Sequence, residues 1–211
     1  MTDEVTTTRR AYRGLDHDER RAARRERLLD AALELFTAEG YQRVKIVRIC
    51  TLAGVSTRNF YEEFEGKEEV LRELHERINA AGMERVTTAL AGAPDGEPGA
   101  RIATLLDAFL SGVTADPRLP RLAYVEAVGV SPAMERQHQR WVERWATFIE
   151  EEANRAARLE QAPRRDFRLT ALGLVGAITG LLRAWQSGTA HASTDEVAAE
   201  IRGLMLAAIM R

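Results

Sequence analysis

The stretch from Ile46 to Lys67 leaves this chain the fewest choices. Apolar Ile46, Ile49, Cys50 and Ala53 recur at helical spacing and lay one stripe along one side of a short helix. Gly54 follows the last of them, where a left-handed cap stops a helix, and Val55 behind it can fill the angle between two helices. Ser56 is a candidate N-cap for the next helix, whose apolar anchors Phe60 and Phe64 stand four residues apart. Two short helices joined by a tight, glycine-containing turn predict a helix-turn-helix, a motif whose second helix can enter the DNA major groove.

A tight helical hairpin in any all-α protein would share that backbone pattern, so the exposed chemistry has to decide. With Phe60 and Phe64 turned inward, the second helix presents Thr57, Arg58, Asn59 and Tyr61. Arg pairs in bidentate fashion with guanine and Asn with adenine, while Thr reaches a phosphate or a thymine methyl. A merely solvated face would carry Glu, Lys and Gln more often. These four residues, with Ser56 and with Lys45 just ahead of the first motif helix, are the candidate DNA contacts.

From Arg27 to Leu71 the chain reads Ala31-Ala32-x3-Phe36-x3-Gly40-Tyr41, then Ala53-Gly54-Val55-Ser56, then Phe60-Tyr61-x2-Phe64-x2-Lys67. In combination these motifs resemble the DNA-binding domain of the tetracycline-repressor (TetR) family of bacterial transcription regulators, without a gap. The resemblance implies that Tyr61 and Lys67 hold backbone phosphates while Thr57, Arg58 and Asn59 face bases. Two positions depart from the family pattern. Val44 stands where a capping threonine is usual, so the first motif helix should lack a side-chain cap. Glu62 and Glu63 stand where a neutral residue is common, and carboxylates near phosphate would weaken binding.

A chain of 211 residues allows one large core or a small domain plus a larger one. With 45% hydrophobic and 29% charged residues it has the composition of a globular protein. Alternating β-branched runs are absent, so the prediction is all-α, about nine helices: a three-helix helix-turn-helix domain followed by a larger helical bundle. The net charge of −2 hides an uneven distribution, since Arg9 to Tyr61 holds 12 Lys and Arg against 7 Asp and Glu. A basic N-terminal region suits phosphate. The single cysteine, Cys50, excludes an internal disulfide, suits a reducing cytosol and falls on the buried stripe as a small core residue. No apolar signal segment opens the sequence, so a cytoplasmic protein is expected. The longest apolar run, Leu169 to Leu182 between Arg168 and Arg183, is 14 residues, and by that length no membrane span is expected.

In chain order, residues 1–18 lack hydrophobic periodicity and are expected to form a flexible basic arm carrying Arg9, Arg10 and Arg13. Residues 19–66 form the DNA-binding domain. Its first helix, Glu19 to Glu39, has an apolar face of Leu28, Leu29, Ala32, Leu33, Leu35 and Phe36 behind front turns rich in arginine. Residues 67–211 form a ligand-binding and dimerising domain. It opens with a helix whose stripe runs through Val70, Leu71, Leu74, Ile78, Ala81, Val86 and Leu90 and which can act as a lever between the domains. A loop at Gly92–Gly99 precedes a helix bearing Ile102, Leu105, Leu106, Phe109 and Val113. Arg118 to Val130 reads as a short apolar helix whose one carboxylate, Glu126, must be solvated, paired with an arginine or committed to a ligand. Ser131-Pro132 then opens a helix running through Glu152, with Met134, His138, Trp141, Trp145 and Phe148 on one stripe. An aromatic stripe is commonly core, yet apolar aromatic cavities also suit small ligands, so Phe109, Tyr124, Glu126, His138, Trp141 and Trp145 are the candidate ligand contacts.

The last two helices are Arg164 to Gln186, with Gly173, Gly176, Ala177 and Gly180, and one capped by Ser193 or Thr194 with Glu196 in a capping-box position. The resemblance implies that they pair with their copies in a homodimer, and a buried intramolecular hairpin would show the same pattern. Four scattered histidines and one cysteine have no metal-ligand spacing, and no nucleophile-base pair or phosphate loop points to an enzyme or a cofactor. The expected function is a ligand-responsive regulator, a repressor that binds a palindromic double-stranded operator as a dimer and is released by a small apolar effector. The alternative is a helix-turn-helix-shaped protein-interaction module, which Glu62 and Glu63 would favour.

Overall fold

The computed structural model describes the backbone of residues 4–93 and 99–211, with side chains from residue 17 onward. Among the described residues the chain forms nine α-helices and one π-helical segment and no strand, the all-α architecture read from the sequence. It divides into two units, residues 1–74 and 75–211.

The first unit holds α1 (Glu4–Glu39), α2 (Ile46–Ala53), α3 (Thr57–Tyr61) and the first turns of α4 (Lys67–Ala91). Its core is built by Leu28, Leu29, Ala32 and Phe36 of α1, by Ile49 of α2, and by Phe60 and Phe64, all buried. Val70, Leu71 and Leu74 of α4 are buried as well. The division between the two units falls inside α4, after Leu74. Helix α1 begins at Glu4 where periodicity placed Glu19. A helix nucleated by its packed end extends outward at low cost per residue, without needing an apolar stripe of its own. The expected contacts of Arg9, Arg10 and Arg13, and the centre of the 92–99 loop, lie outside the described residues.

The second unit contains the rest of α4, then α5 (Ala100–Ala115), α6 (Arg118–Arg121), the π-helical segment (Leu122–Glu126), α7 (Pro132–Arg158), α8 (Arg168–Gln186) and α9 (Thr194–Ile209). Helix α8 packs on α7 and α9 around a core that includes Val86, Leu106, Ala146, Phe167, Leu182 and Ile201. The Ser131 hydroxyl accepts from the Met134 amide at 3.1 Å, with Pro132 in the first turn. Ser193 and Glu196 complete the capping box of α9.

Three sequence expectations change here. Arg118 to Val130 is not one helix: four α-helical residues pass into the π segment, and the chain turns after Glu126. The inward register of α4 beyond Leu71 runs through His75, Asn79 and Gly82 before reaching Val86, whereas Ala81 is exposed. Polar residues hold these inward positions because they face a cavity and not a dry core. Finally, α8 begins at Arg168, and at 19 residues with a mean hydropathy of 1.2 it is long and apolar enough to cross a membrane by length and composition. One such helix is weak evidence of a span, since the core helix of a soluble protein passes the same test. What the fold does with the helix is pack Ala171, Leu174, Val175 and Leu182 into the core.

Candidate nucleic-acid interface and ligand cavity

In the first unit, α2 ends in a Schellman motif: Gly54 takes φ 63°, its amide donates to Thr51 O at 3.3 Å, and the Val55 amide donates to Cys50 O at 2.9 Å. The next helix starts at Ser56, whose hydroxyl accepts from the Asn59 amide at 3.1 Å. Phe60 and Phe64 anchor it, their ring centroids 5.7 Å apart. The anchors set the outward direction of the rest. The Arg58 side chain is 90% exposed, Tyr61 is 57% exposed with its ring edge-on to Phe60, and Thr57 is exposed. Burial raises the pKa of the Cys50 thiol, and the neighbouring Thr57 side chain pulls it the other way. Lys45 is exposed at the N-cap position of α2 and gives no side-chain cap, as the valine at position 44 led one to expect. Exposed Arg43 and Arg48 flank it, and the sequence reading passed over both although they lie within three residues of Lys45. This convex edge offers guanidinium, amide, phenol and hydroxyl groups in reach of base edges and phosphates.

Lys67 is not part of that edge. Its ammonium donates to the carbonyls of Tyr41, Val44 and Gln42 at 2.9, 3.0 and 3.3 Å and lies over the Tyr41 ring at 4.4 Å. Burial lowers its pKa from the ordinary lysine value. All three N–H groups are directed at the turn between α1 and α2, a structural role that competes with the phosphate contact the resemblance implies. Glu63 takes a structural role as well. Its side chain is 1% exposed, with Arg24 Nε at 3.1 Å from Oε1, Arg21 Nε at 3.1 Å from Oε2, and its carbonyl accepting from Arg25 at 2.6 Å. Burial alone would raise its pKa, but the hydrogen bonds and charges of Arg24 and Arg21 bring it below the ordinary glutamate value. Glu63 clasps α1 to the end of the motif. Part of the arginine surplus counted in the sequence is thus consumed internally. Glu62 does stay on the surface, 3.6 Å from Arg58 Nε and 3.6 Å from Arg24.

The second unit holds a cavity lined from α4, α5, the π segment, α7, α8 and α9. Phe109, Tyr124, His138, Trp141 and Trp145 all line it, as five of the six candidates should. Glu126 does not: it pairs with Arg121 at 3.4 Å. Two residues beyond Tyr124 on a helical segment it points nearly the opposite way, which corrects the sixth. The sequence reading missed His75 and Asn79, polar residues one helical turn apart on the buried side of α4. That i, i+4 polar pair within an apolar stripe was the available signal.

A chain of polar contacts runs along the wall. Gln137 Nε2 lies 3.4 Å from His75 Nδ1, Asn79 Nδ2 lies 3.4 Å from His75 Nε2, and Trp145 donates to Asn79 Oδ1 at 3.4 Å. Burial, together with the charge of His138 at a 6.1 Å ring separation, pushes the His75 pKa down to about 4, so this imidazole is neutral at neutral pH. Tyr124 is pushed up to about 12 by burial and keeps its proton. The π segment delivers Ala123 and Tyr124 to the wall, and π-helical geometry is a frequent feature of functional sites. Among the described residues no cluster of His, Cys, Asp or Glu could hold a metal ion.

Residues 28–74 match the family model of bacterial regulatory proteins, tetR family. No curated protein matches the sequence. Among solved structures the chain is similar to a TetR-family transcriptional regulator from Syntrophomonas wolfei, with a TM-score of 0.75 and 19% identity over 88% of this chain and 95% of that one. It is also similar to the regulator FadR from Bacillus subtilis in complex with stearoyl-CoA, with a TM-score of 0.74 and 17% identity over 87% and 98% of the two chains. A third is AibR in complex with isovaleryl coenzyme A and operator DNA, with a TM-score of 0.66 and 15% identity over 86% and 97%. At these identities the likeness is one of fold.

Proposed function

Starting from residues 28–74 as a tetR-family DNA-binding domain, we propose that this protein is a homodimeric transcriptional repressor, released from a palindromic operator by a small effector held in the second unit's cavity. The observation that carries the DNA-reading half is the division of α3: Phe60 is fully buried while Arg58 and Tyr61 project outward. Arg58, Asn59 and Thr57 are the base readers, and Ser56, Tyr61, Lys45, Arg43 and Arg48 the phosphate contacts.

Dimerisation rests on α8 and α9. Leu169 is 83% exposed, and Gly173, Gly176, Ala177 and Gly180 continue its exposed face, while α9 exposes Ala199, Gly203 and Ala207. Each glycine costs about 1 kcal/mol of helix propensity relative to alanine. A Cβ added at Gly173, Gly176 or Gly180 would meet nothing within 4 Å in this chain, so packing inside the protomer does not call for them. A second copy approaching closely does. Two-fold symmetry would set two α3 helices about 34 Å apart, one duplex turn.

Helix α4 is continuous from Lys67 at the DNA-binding unit to His75 and Asn79 on the cavity wall, which makes it the route by which an effector shifts the DNA-binding heads. That coupling is reciprocal, so operator DNA must weaken effector binding by the factor by which effector weakens DNA binding. The solved relatives carrying stearoyl-CoA, or isovaleryl coenzyme A with operator DNA, support a ligand-responsive reading. Selection from a random DNA pool tests it. A palindrome with half-sites one turn apart is expected, and a pool that stays random would remove the operator-binding function. Failure to show salt-dependent retention on random DNA would favour the protein-interaction module instead.

A further inference from the structure

The cavity sorts its polar groups into spent and unspent. His75, Asn79 and the Trp145 indole are joined in one chain with Gln137, and the Trp141 indole donates to Glu76 at 2.8 Å. The Tyr124 hydroxyl and the Thr179 hydroxyl line the same space and have no hydrogen-bond partner among the described residues. Their supports, the π segment and α8, pack against each other, so the two hydroxyls come from adjoining walls. Both residues are half-buried and neither oxygen is a fully buried atom without a partner, so the two hydroxyls are open to the cavity space, where an acceptor that the protein does not supply can reach them.

The rest of the wall limits what carries that acceptor. Among the described residues no Asp, Glu, Lys or Arg lines the cavity. A carboxylate or phosphate brought inside would lose its hydration with only the His138 imidazole to offset that loss, and an organic cation would find ring faces but no counter-charge. Phe109 and Phe148 each meet Trp145 edge to face, with centroids 5.8 and 6.1 Å apart, which forms a stiff, ring-shaped lining suited to flat aromatic ligands.

We propose that this cavity takes an uncharged, aromatic small molecule whose carbonyl or equivalent acceptor is bonded by the hydroxyls of Tyr124 and Thr179. The inference rests on the cavity being the effector site and narrows it to a ligand class. A coenzyme A thioester would have to leave its anionic part outside.

The test uses full-length protein without DNA and calorimetric titration with probes sharing one ring system: methyl 2-naphthoate, the 2-naphthoate anion and 2-naphthylmethyl-trimethylammonium, with decanoyl-CoA as a fourth ligand. The ester should bind at least about 10-fold more tightly than either ion or decanoyl-CoA. Tyr124→Phe, which keeps the ring, should weaken the ester roughly 3- to 10-fold and leave 2-ethylnaphthalene, which has no acceptor, unchanged. Equal or tighter binding of an ion or of decanoyl-CoA overturns the ligand class, as does an ester that gives no saturable heat. Equal losses for ester and hydrocarbon in Tyr124→Phe overturn the hydrogen bond. Selection of a palindrome together with release by decanoyl-CoA but not by the ester would sink this inference alone. Ester binding by a protein that selects no DNA would sink only the regulator reading.

Discussion

Lys67 is the residue at which a DNA-contact role and a structural role make opposite predictions. Substituting methionine keeps the aliphatic length and deletes the ammonium, and with it the bonds to the carbonyls of Tyr41, Val44 and Gln42. Hydrogen bonds to a charged group contribute about 1.5–3 kcal/mol each when shielded. The bonds to Tyr41 and Val44 are partly buried and the one to Gln42 is exposed, so only two count in full, and water can partly replace them. Lys67→Met should therefore destabilise the first unit by about 2–4 kcal/mol, and for a domain of this size lower its melting temperature by roughly 10–20 °C. Circular dichroism melts would show the loss. Below the transition, the salt dependence of operator affinity should match that of the parent protein, because no phosphate contact is removed. An unchanged melting temperature, together with a salt slope reduced by about one ion per site, would refute the carbonyl assignment and restore the phosphate one.

Arg58→Ala should cost roughly 1–3 kcal/mol of operator affinity and relax preference at one position per half-site, read by repeating the random-pool selection with the variant. An identical consensus would take Arg58 out of base reading. Glu63 gives a pH prediction whose sign follows from its lowered pKa: the stability it contributes is present above the ordinary glutamate value of 4.5 and is lost as pH falls through the lower folded value. Glu63→Gln should cost about 2–4 kcal/mol in urea melts at pH 7, with the gap to the parent closing as pH falls below the ordinary glutamate value. A gap independent of pH would mean that shape, not charge, makes the clasp. Gly176→Leu should abolish dimer in sedimentation runs while raising protomer helix stability by up to about 1 kcal/mol, since the added side chain enters open space. A variant that remains dimeric would move the interface off α8.

The parts of this protein that could be read in advance depend on neighbours within one helical turn. Gly54 at φ 63°, the Ser56 and Ser193 caps and the inward Phe60 and Phe64 follow from spacings of up to four residues. Once the anchors of α3 turn in, backbone geometry leaves Arg58 and Tyr61 no direction but outward. The cavity aromatics were legible for the same reason, because Trp141 and Trp145 share a face of α7 whatever packs against it.

Sequence alone therefore determined most of the helices, the caps at Gly54, Ser56 and Ser193, and the inward side of α2 and α3. Tertiary structure decided what each charge is for. Lys67 found its carbonyls 23 to 26 residues away, Glu63 met Arg24 across 39, and His75 met Gln137 across 62. Periodicity could not distinguish a cavity-facing His75 and Asn79 from a broken stripe, nor separate Glu126 from the ligand wall. The free energy of a charged or polar side chain is set by whichever partner packing brings to it, and at such separations the chain pattern carries no record of that partner.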